Sequence, residues 1–279
     1  MPAVRLLAMP VAALLVLALT AQGGGGAGAP GPDDPCPTAY PGDGADKARI
    51  ARWMARGAAL RGLPDELPAM AALAETGVAN IRSPDQRYVG YFQMDVKGWN
   101  RGSYRGYPRD PDLQLQWFTD YAVLARQQRI AEGDATVGQD PARWGRWVGI
   151  VENPGAPAVA HYQHRLDEAR ALVAGDCLPT GTTPDSTPPS LRIRAARSQQ
   201  GAIAVRTRCP SEDCVAGAVA TTAGGKGRGR TPALQLHAGA TTTLVLRPRG
   251  KPATLRVQVT AVDEAGNAAR AARRVTFSR

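Results

Sequence analysis

The sequence predicts a multi-domain α+β protein, with a mainly α N-terminal domain over residues 45–178 and an all-β sandwich over residues 190–279. Three observations predict it. Between residues 46 and 174, apolar side chains recur three and four positions apart, the period of one helix face. A Thr/Pro/Ser linker over residues 179–189 then ends that pattern. Beyond it the period becomes two, in Leu191-Arg-Ile-Arg, Ile203-Ala-Val-Arg, Leu244-Val-Leu-Arg and Leu255-Arg-Val-Gln-Val-Thr.

Residues 1–22 read as a signal peptide. Arg5 supplies a positive start, and the apolar run over residues 11–19 is too short for a membrane span. Ala21 or a small residue soon after is the candidate cleavage point, and no cysteine follows the run to take a lipid. The mature protein is expected to be secreted, extracellular or cell-wall associated, with no transmembrane segment. Residues 23–44, rich in Gly, Pro and Asp, read as a flexible lead-in.

Asp46 is placed to cap a helix running to about residue 61, with Ile50, Trp53, Met54 and Leu60 as its apolar stripe. Gly62 stops it, and Pro64 opens a second helix that carries Glu75 near its end. Residues 80–109 are rich in Gly, Pro and Tyr and read as loops with a small hairpin. Pro111-Asp112 starts a long helix to about residue 132, striped by Leu113, Trp117, Tyr121 and Leu124. Pro141 opens another with Trp144, Trp147, Val148 and Val151, and a last helix is expected over residues 158–174. Trp117, Trp144 and Trp147 sit at helical spacing and are expected in the core.

The four cysteines suit an oxidising compartment. Cys209 and Cys214 enclose a short polar turn that a local disulfide can close. Cys36 and Cys177 flank the helical region, where a bridge would staple its ends together. Four cysteines allow three pairings, and this is the favoured one. Zinc binding by the four lacks a Cys-x-x-Cys pair or a nearby histidine. His161 and His164 lack a third ligand, so no metal and no cofactor is expected. Asp263-Glu-Ala-Gly-Asn267 reads as a hairpin turn.

Charge is unevenly distributed within the net +10. Residues 188–279 hold 16 Lys+Arg against 4 Asp+Glu, while residues 1–187 hold 18 against 20. A basic module of this kind implies an anionic polymer partner; in an exported protein, anionic wall polymers or lipid headgroups fit better than nucleic acid.

The chemistry-bearing residues centre on Glu75. It ends the apolar run Leu67-Pro-Ala-Met-Ala-Ala-Leu-Ala-Glu75, followed by Thr76-Gly77 and then, fourteen residues past Thr76, by Gly90-Tyr91-Phe92-Gln93. A lone carboxylate at the tip of an apolar helix is a candidate general acid, because removal from water favours the protonated form. A helix-end Glu-Thr/Ser followed by Gly-hydrophobic-hydrophobic-Gln resembles the lysozyme-like lytic transglycosylase (SLT-type) domain, over about residues 46–176.

That resemblance implies a secreted peptidoglycan lytic enzyme, a glycosidase acting on the bond between N-acetylmuramic acid and N-acetylglucosamine in peptidoglycan glycan strands. Glu75 would be the catalytic acid and then base, with Gln93, Thr76 and Tyr91 around the sugar cleft. Relatives carry an Ala-Tyr-Asn-like triplet whose tyrosine bonds the glutamate. The stretch Val151-Glu152-Asn153 is the nearest counterpart here, so Glu152 takes the tyrosine's place and Asn153 follows it as a further substrate contact. Attack by the muramyl C6 hydroxyl would give a 1,6-anhydro product. Hydrolysis would need a second carboxylate, for which Asp85 and Asp95 are the loop candidates.

Tyr88, Tyr91, Trp99, Tyr104 and Tyr107 supply rings on which sugars could stack. The C-terminal part resembles the immunoglobulin-like or fibronectin-like β-sandwich modules of exported bacterial proteins. The alternative function is a non-catalytic peptidoglycan-binding or adhesion protein with a lysozyme-like cleft.

Overall fold

The computed structural model describes residues 36–134, 136–152, 159–175, 186–231, 233–251 and 253–278. The expected signal peptide, most of the lead-in and linker, Asn153 and Cys177 lie outside these residues. Both helices and antiparallel sheets are present, so the chain is of mixed α+β class.

The helical part begins with α1 (Lys47–Ala59), where the Asp46 carboxylate accepts from Arg49 N at 2.8 Å, as its position predicts. Helix α2 (Glu66–Glu75) is buried along most of its length, from Leu67 to Leu73. The expected hairpin is a minimal one, β1 (Tyr88–Val89) against β2 (Met94–Asp95), followed by α3 (Val96–Trp99) and two 3-10 turns.

Helix α4 (Pro111–Ala131) starts with Pro at its first position, and Asp110 caps it by accepting from Asp112 N and Leu113 N. A 3-10 turn from Pro141 leads into α5 (Trp144–Glu152). The single last helix expected from the sequence is instead two, α6 (Val159–Gln163) and α7 (Leu166–Val173). Between them Arg165 N bonds Tyr162 O at 3.0 Å, a tight 3-10 turn that ends α6. Trp117, Trp144 and Trp147 are all core residues, as their spacing predicts.

The β part forms two sheets. β3 (Arg192–Gln199), β4 (Ala202–Arg208) and β8 (Thr242–Leu246) make a three-stranded sheet in that order. The second sheet runs β10 (Ala268–Phe277), β9 (Ala253–Val262), β5 (Cys214–Thr221) and β6 (Gly227–Arg230), with β7 (Leu234–Leu236) also on β5. All pairings are antiparallel. Alternation sends Ala216, Ala218 and Ala220 of β5 and Leu255, Val257 and Val259 of β9 into one core with Ile203, Val205, Leu244 and Leu246 of the other sheet.

The Cys209–Cys214 disulfide leads into β5, with Cα atoms 6.4 Å apart, as expected. Cys36 is disulfide-bonded as well, while its expected partner Cys177 lies outside the described residues.

Helix α4 joins the two parts. Val215, Ala233 and Val262 belong to the same hydrophobic cluster as the helical core, and Tyr121 of α4 donates to Ala233 O at 3.1 Å. Asp120 of α4, 2 % exposed, meets Arg61 at 3.3 Å and accepts from the Tyr104 hydroxyl at 2.9 Å. Arg61 in turn donates to Glu264 O in the β part at 2.6 Å.

Candidate active site

Glu75 is the last residue of α2, half-buried where the helix meets a left-handed turn. The apolar run before it is fixed in the core, so the carboxyl is held at the rim while its helix is immobile. Gly77 and Val78 follow with φ of 66° and 62°. A positive φ at a β-branched residue is strained, and Val78 holds it by being 3 % exposed, with its N–H bonded to Ala72 O at 3.0 Å.

The two sequence motifs are joined by Thr76. Its Oγ1 donates to Ala72 O at 3.0 Å and lies 3.3 Å from Tyr91 O, and it accepts from Ala79 N at 3.3 Å. Thr76 therefore positions the turn, rather than presenting its hydroxyl to a sugar.

Gly90 has φ of 87°, and a β-carbon there would stand 2.2 Å from Gln114 Oε1, so only glycine fits. That oxygen accepts from Tyr91 N at 3.0 Å, while Gln114 Nε2 reaches Tyr107 O at 3.1 Å. Gln93 has φ of 44° and spends its Nε2 on Gly90 O at 2.9 Å and Ile81 O at 3.3 Å. The glutamine thus closes the turn that its motif forms.

Most of the expected aromatic platform is core. Tyr91, Tyr104 and Tyr107 are at most 2 % exposed. Their hydroxyls pair with Tyr40, Asp120 and Met94 O. Tyr91 is therefore a packing residue and not a cleft contact, because no part of its ring reaches solvent. Trp99 packs on Trp117 and Tyr121, toward the β part. Tyr88 alone of the five is exposed, on the hairpin, with the Arg87 guanidinium over its ring.

Tyr162, which the sequence reading missed, completes the site. From the short α6 its hydroxyl donates to Glu75 Oε1 at 2.5 Å. Its neighbour His161 lies 3.3 Å from Ala74 O through Nε2, so α6 is attached twice to the end of α2. Burial first, and then the bond to Glu75, push the Tyr162 phenol far above its ordinary range. It therefore remains a donor throughout the working pH range.

Glu152, the last residue of α5, makes no hydrogen bond to Glu75 among the described residues; the side chain that does is Tyr162. Glu152 belongs to the site in another way. Burial, and then the charge of Glu75, push its carboxyl well above the ordinary range, favouring its neutral form. Although the residue as a whole keeps some exposure, its Oε1 is shut off from solvent with no partner among the described residues.

The loop carboxylates are occupied elsewhere. Asp85 accepts from the Ser83 hydroxyl at 2.5 Å and from Arg87 N at 3.1 Å, and the Ser83 bond first holds it below its usual range. Asp95 caps α3 and meets Arg87 at 3.2 Å. Among the described residues no cluster of His, Cys, Asp and Glu is arranged to hold a metal ion, and no helix is long and apolar enough to cross a membrane.

The arrangement offers one half-buried carboxyl oriented by a permanent phenol donor, beside a second carboxyl whose neutral form is favoured. That is equipment for moving a proton at a single oxygen. No protein-family model matches the chain, and no curated protein matches it.

Proposed function

We propose that the chain is an exported peptidoglycan lytic enzyme that cleaves the bond between N-acetylmuramic acid and N-acetylglucosamine, with Glu75 as its acid and base. The observation that carries the reading is the Tyr162–Glu75 hydrogen bond at the strained end of α2. Glu75 would protonate the glycosidic oxygen as the bond to the muramyl anomeric carbon breaks. The muramyl C6 hydroxyl would then attack that carbon and return its proton to Glu75, closing a 1,6-anhydro ring and regenerating the acid. Tyr162 would hold the carboxyl in place through both proton transfers.

Glu152 supports transglycosylation over hydrolysis. A hydrolase needs its second carboxyl ionised, as nucleophile or as base for water. In Glu152, burial and Glu75 favour the neutral form. It fits a different task, lowering the negative charge that the site would otherwise gather around the leaving oxygen.

The strand order, β3-β4-β8 facing β10-β9-β5-β6, supports reading the C-terminal part as an immunoglobulin/fibronectin-like β-sandwich. Its excess of 16 Lys+Arg over 4 Asp+Glu supports attachment to an anionic polymer near the substrate.

The test is incubation of purified peptidoglycan with the wild-type protein and with Glu75→Gln, followed by mass spectrometry of the fragments. The wild type is expected to release 1,6-anhydromuramyl ends, one water lighter than hydrolysed ends, and the variant none. Reducing ends as the first product would make the protein a muramidase. Binding without cleavage by the wild type would leave the non-catalytic glycan-binding reading.

A further inference from the structure

All four acidic residues of the β part, Glu212, Asp213, Asp263 and Glu264, line one concavity where it meets Tyr104 and Asp120 of the helical part. The ion pairs of the β part among the described residues are Arg230–Glu132 and His237–Asp213. The negative charge is thus gathered at the junction, and most of the arginines elsewhere on the sheets are left without a carboxylate.

The outer face of the five-stranded sheet is divided in two. Residues 215 and 217 of β5 and 262 of β9 point outward beneath α4. Farther along the same face, Thr221 of β5, Arg256 of β9 and Arg274 of β10 are register partners in one row. Arg256 and Arg274 therefore stand directly opposite one another on neighbouring strands, both exposed. Like charges in that relation destabilise a sheet.

The two arginines do not simply point into open water. With Thr221, Thr222, Thr254 and Ala131 they line a concavity of about 380 Å³ at the end of α4. Lys226 N bonds Thr222 Oγ1 at 3.2 Å, and Arg228 reaches Lys251 O at 3.1 Å while Arg249 N bonds Arg228 O at 2.7 Å. Lys226 adds a third cation on the exposed turn whose Thr222 and Gly225 also line the concavity.

We propose that this concavity binds a linear polymer of phosphate esters, with one phosphate seated between Arg256 and Arg274. Arginine forks match the two non-bridging oxygens of a phosphodiester in pairs of hydrogen bonds, and each such oxygen keeps a further lone pair for a threonine hydroxyl. Of the 16 cations in residues 188–279, 14 are Arg, the type suited to such paired contacts. The surplus of 16 Lys+Arg over 4 Asp+Glu across residues 188–279 fits a chain of repeating charge better than a single ion. The site is separate from Glu75 and stands whether or not Glu75 acts on glycan.

The experiment titrates the full exported chain with linear inorganic polyphosphate, and in parallel with polyglutamate and with vesicles of anionic phospholipid. Arg256→Gln/Arg274→Gln is compared with Arg197→Gln/Arg206→Gln, an equal loss of charge on exposed arginines of the other sheet. The first pair is expected to weaken polyphosphate binding about tenfold or more and the control pair about twofold. Arg274→Gln alone is expected to raise the unfolding midpoint at low salt, since it removes the like-charge pair. Equal weakening by both pairs would reduce the effect to net charge and overturn the site. So would polyglutamate or vesicles binding as tightly as polyphosphate, or an Arg274→Gln variant less stable than the wild type.

Discussion

Gly217 of β5 lies directly beneath the side-chain amide of Gln128 on α4: a β-carbon there would stand 2.4 Å from Nε2 and 3.3 Å from Leu124 Cδ2. The helix can approach the sheet this closely because that strand position is bare. Gly217→Val is expected to push α4 away and to cost about 1–3 kcal/mol, the range for overpacking a filled interface. The change should appear as a lower urea midpoint. An unchanged midpoint would mean that the two parts are held mainly by their rims.

Removing the Tyr162 hydroxyl isolates the orienting bond. Tyr162→Phe keeps the ring in the core and deletes the donor to Glu75. Glycan cleavage is expected to fall about tenfold or more, for the loss of one hydrogen bond to a charged group. Initial rates of fragment release measure this, with stability followed alongside. Full activity in a folded variant would separate Tyr162 from the mechanism.

Glu152 makes a signed prediction about pH. Its folded carboxyl binds a proton more tightly than the ordinary value of 4.5, owing to burial and Glu75. The stabilisation from that proton is fully present below the unfolded value and is lost as pH rises through the folded one. Glu152→Gln, neutral at every pH, is expected to lose less stability than the wild type between acid and mildly alkaline solution. Denaturant midpoints across that range for both proteins give the comparison. Parallel curves would show that Glu152 titrates normally.

Asp120 carries the junction electrostatically. Burial lifts its carboxyl to about 7, against the pull of Arg61 and of the Tyr104 bond. Asp120→Ala leaves the Tyr104 hydroxyl without its acceptor and removes the carboxylate from the Arg61 guanidinium, which keeps Glu264 O. A loss of about 3 kcal/mol is expected, as for a buried pair broken on one side. Asp120→Asn, which can still accept from Tyr104, should lose less. Equal losses in thermal or urea unfolding would make volume, not polarity, the cause.

Local signals in the sequence were legible where one residue decides an element. Asp46 and Pro111 mark helix starts, Cys209 and Cys214 mark a short bridge, and the period-two stretches mark strands. The position of Glu75 at a helix end was legible for the same reason. Tyr162 was not, because the connection after α5 sets which turn of chain returns to Glu75, and spacing alone does not reveal that. Ala160-His161-Tyr162-Gln163, a tyrosine followed by an amide, was the available signal, ten positions beyond the stretch first matched.

Tyr91, Tyr104 and Tyr107 misled in the opposite direction. A tyrosine-rich loop reads as a binding surface until each hydroxyl finds an internal acceptor. The docking of the two parts was hidden by α4 itself. Its face toward the β part carries Asp120 and Gln128, both 5 % exposed or less, and such residues read as a solvated side.

The position of α4 between two cores bears on how the chain is made. Synthesis proceeds from the N-terminus, so the whole helical part emerges before any strand exists to cover Tyr121 and Leu124. At about 5–20 residues per second, the β part takes on the order of 5–20 s to follow. For that interval the protein carries an apolar stripe whose lid has not yet been synthesised. Expression of the helical part alone would make the interval permanent, and it is expected to yield aggregates instead of a smaller soluble protein.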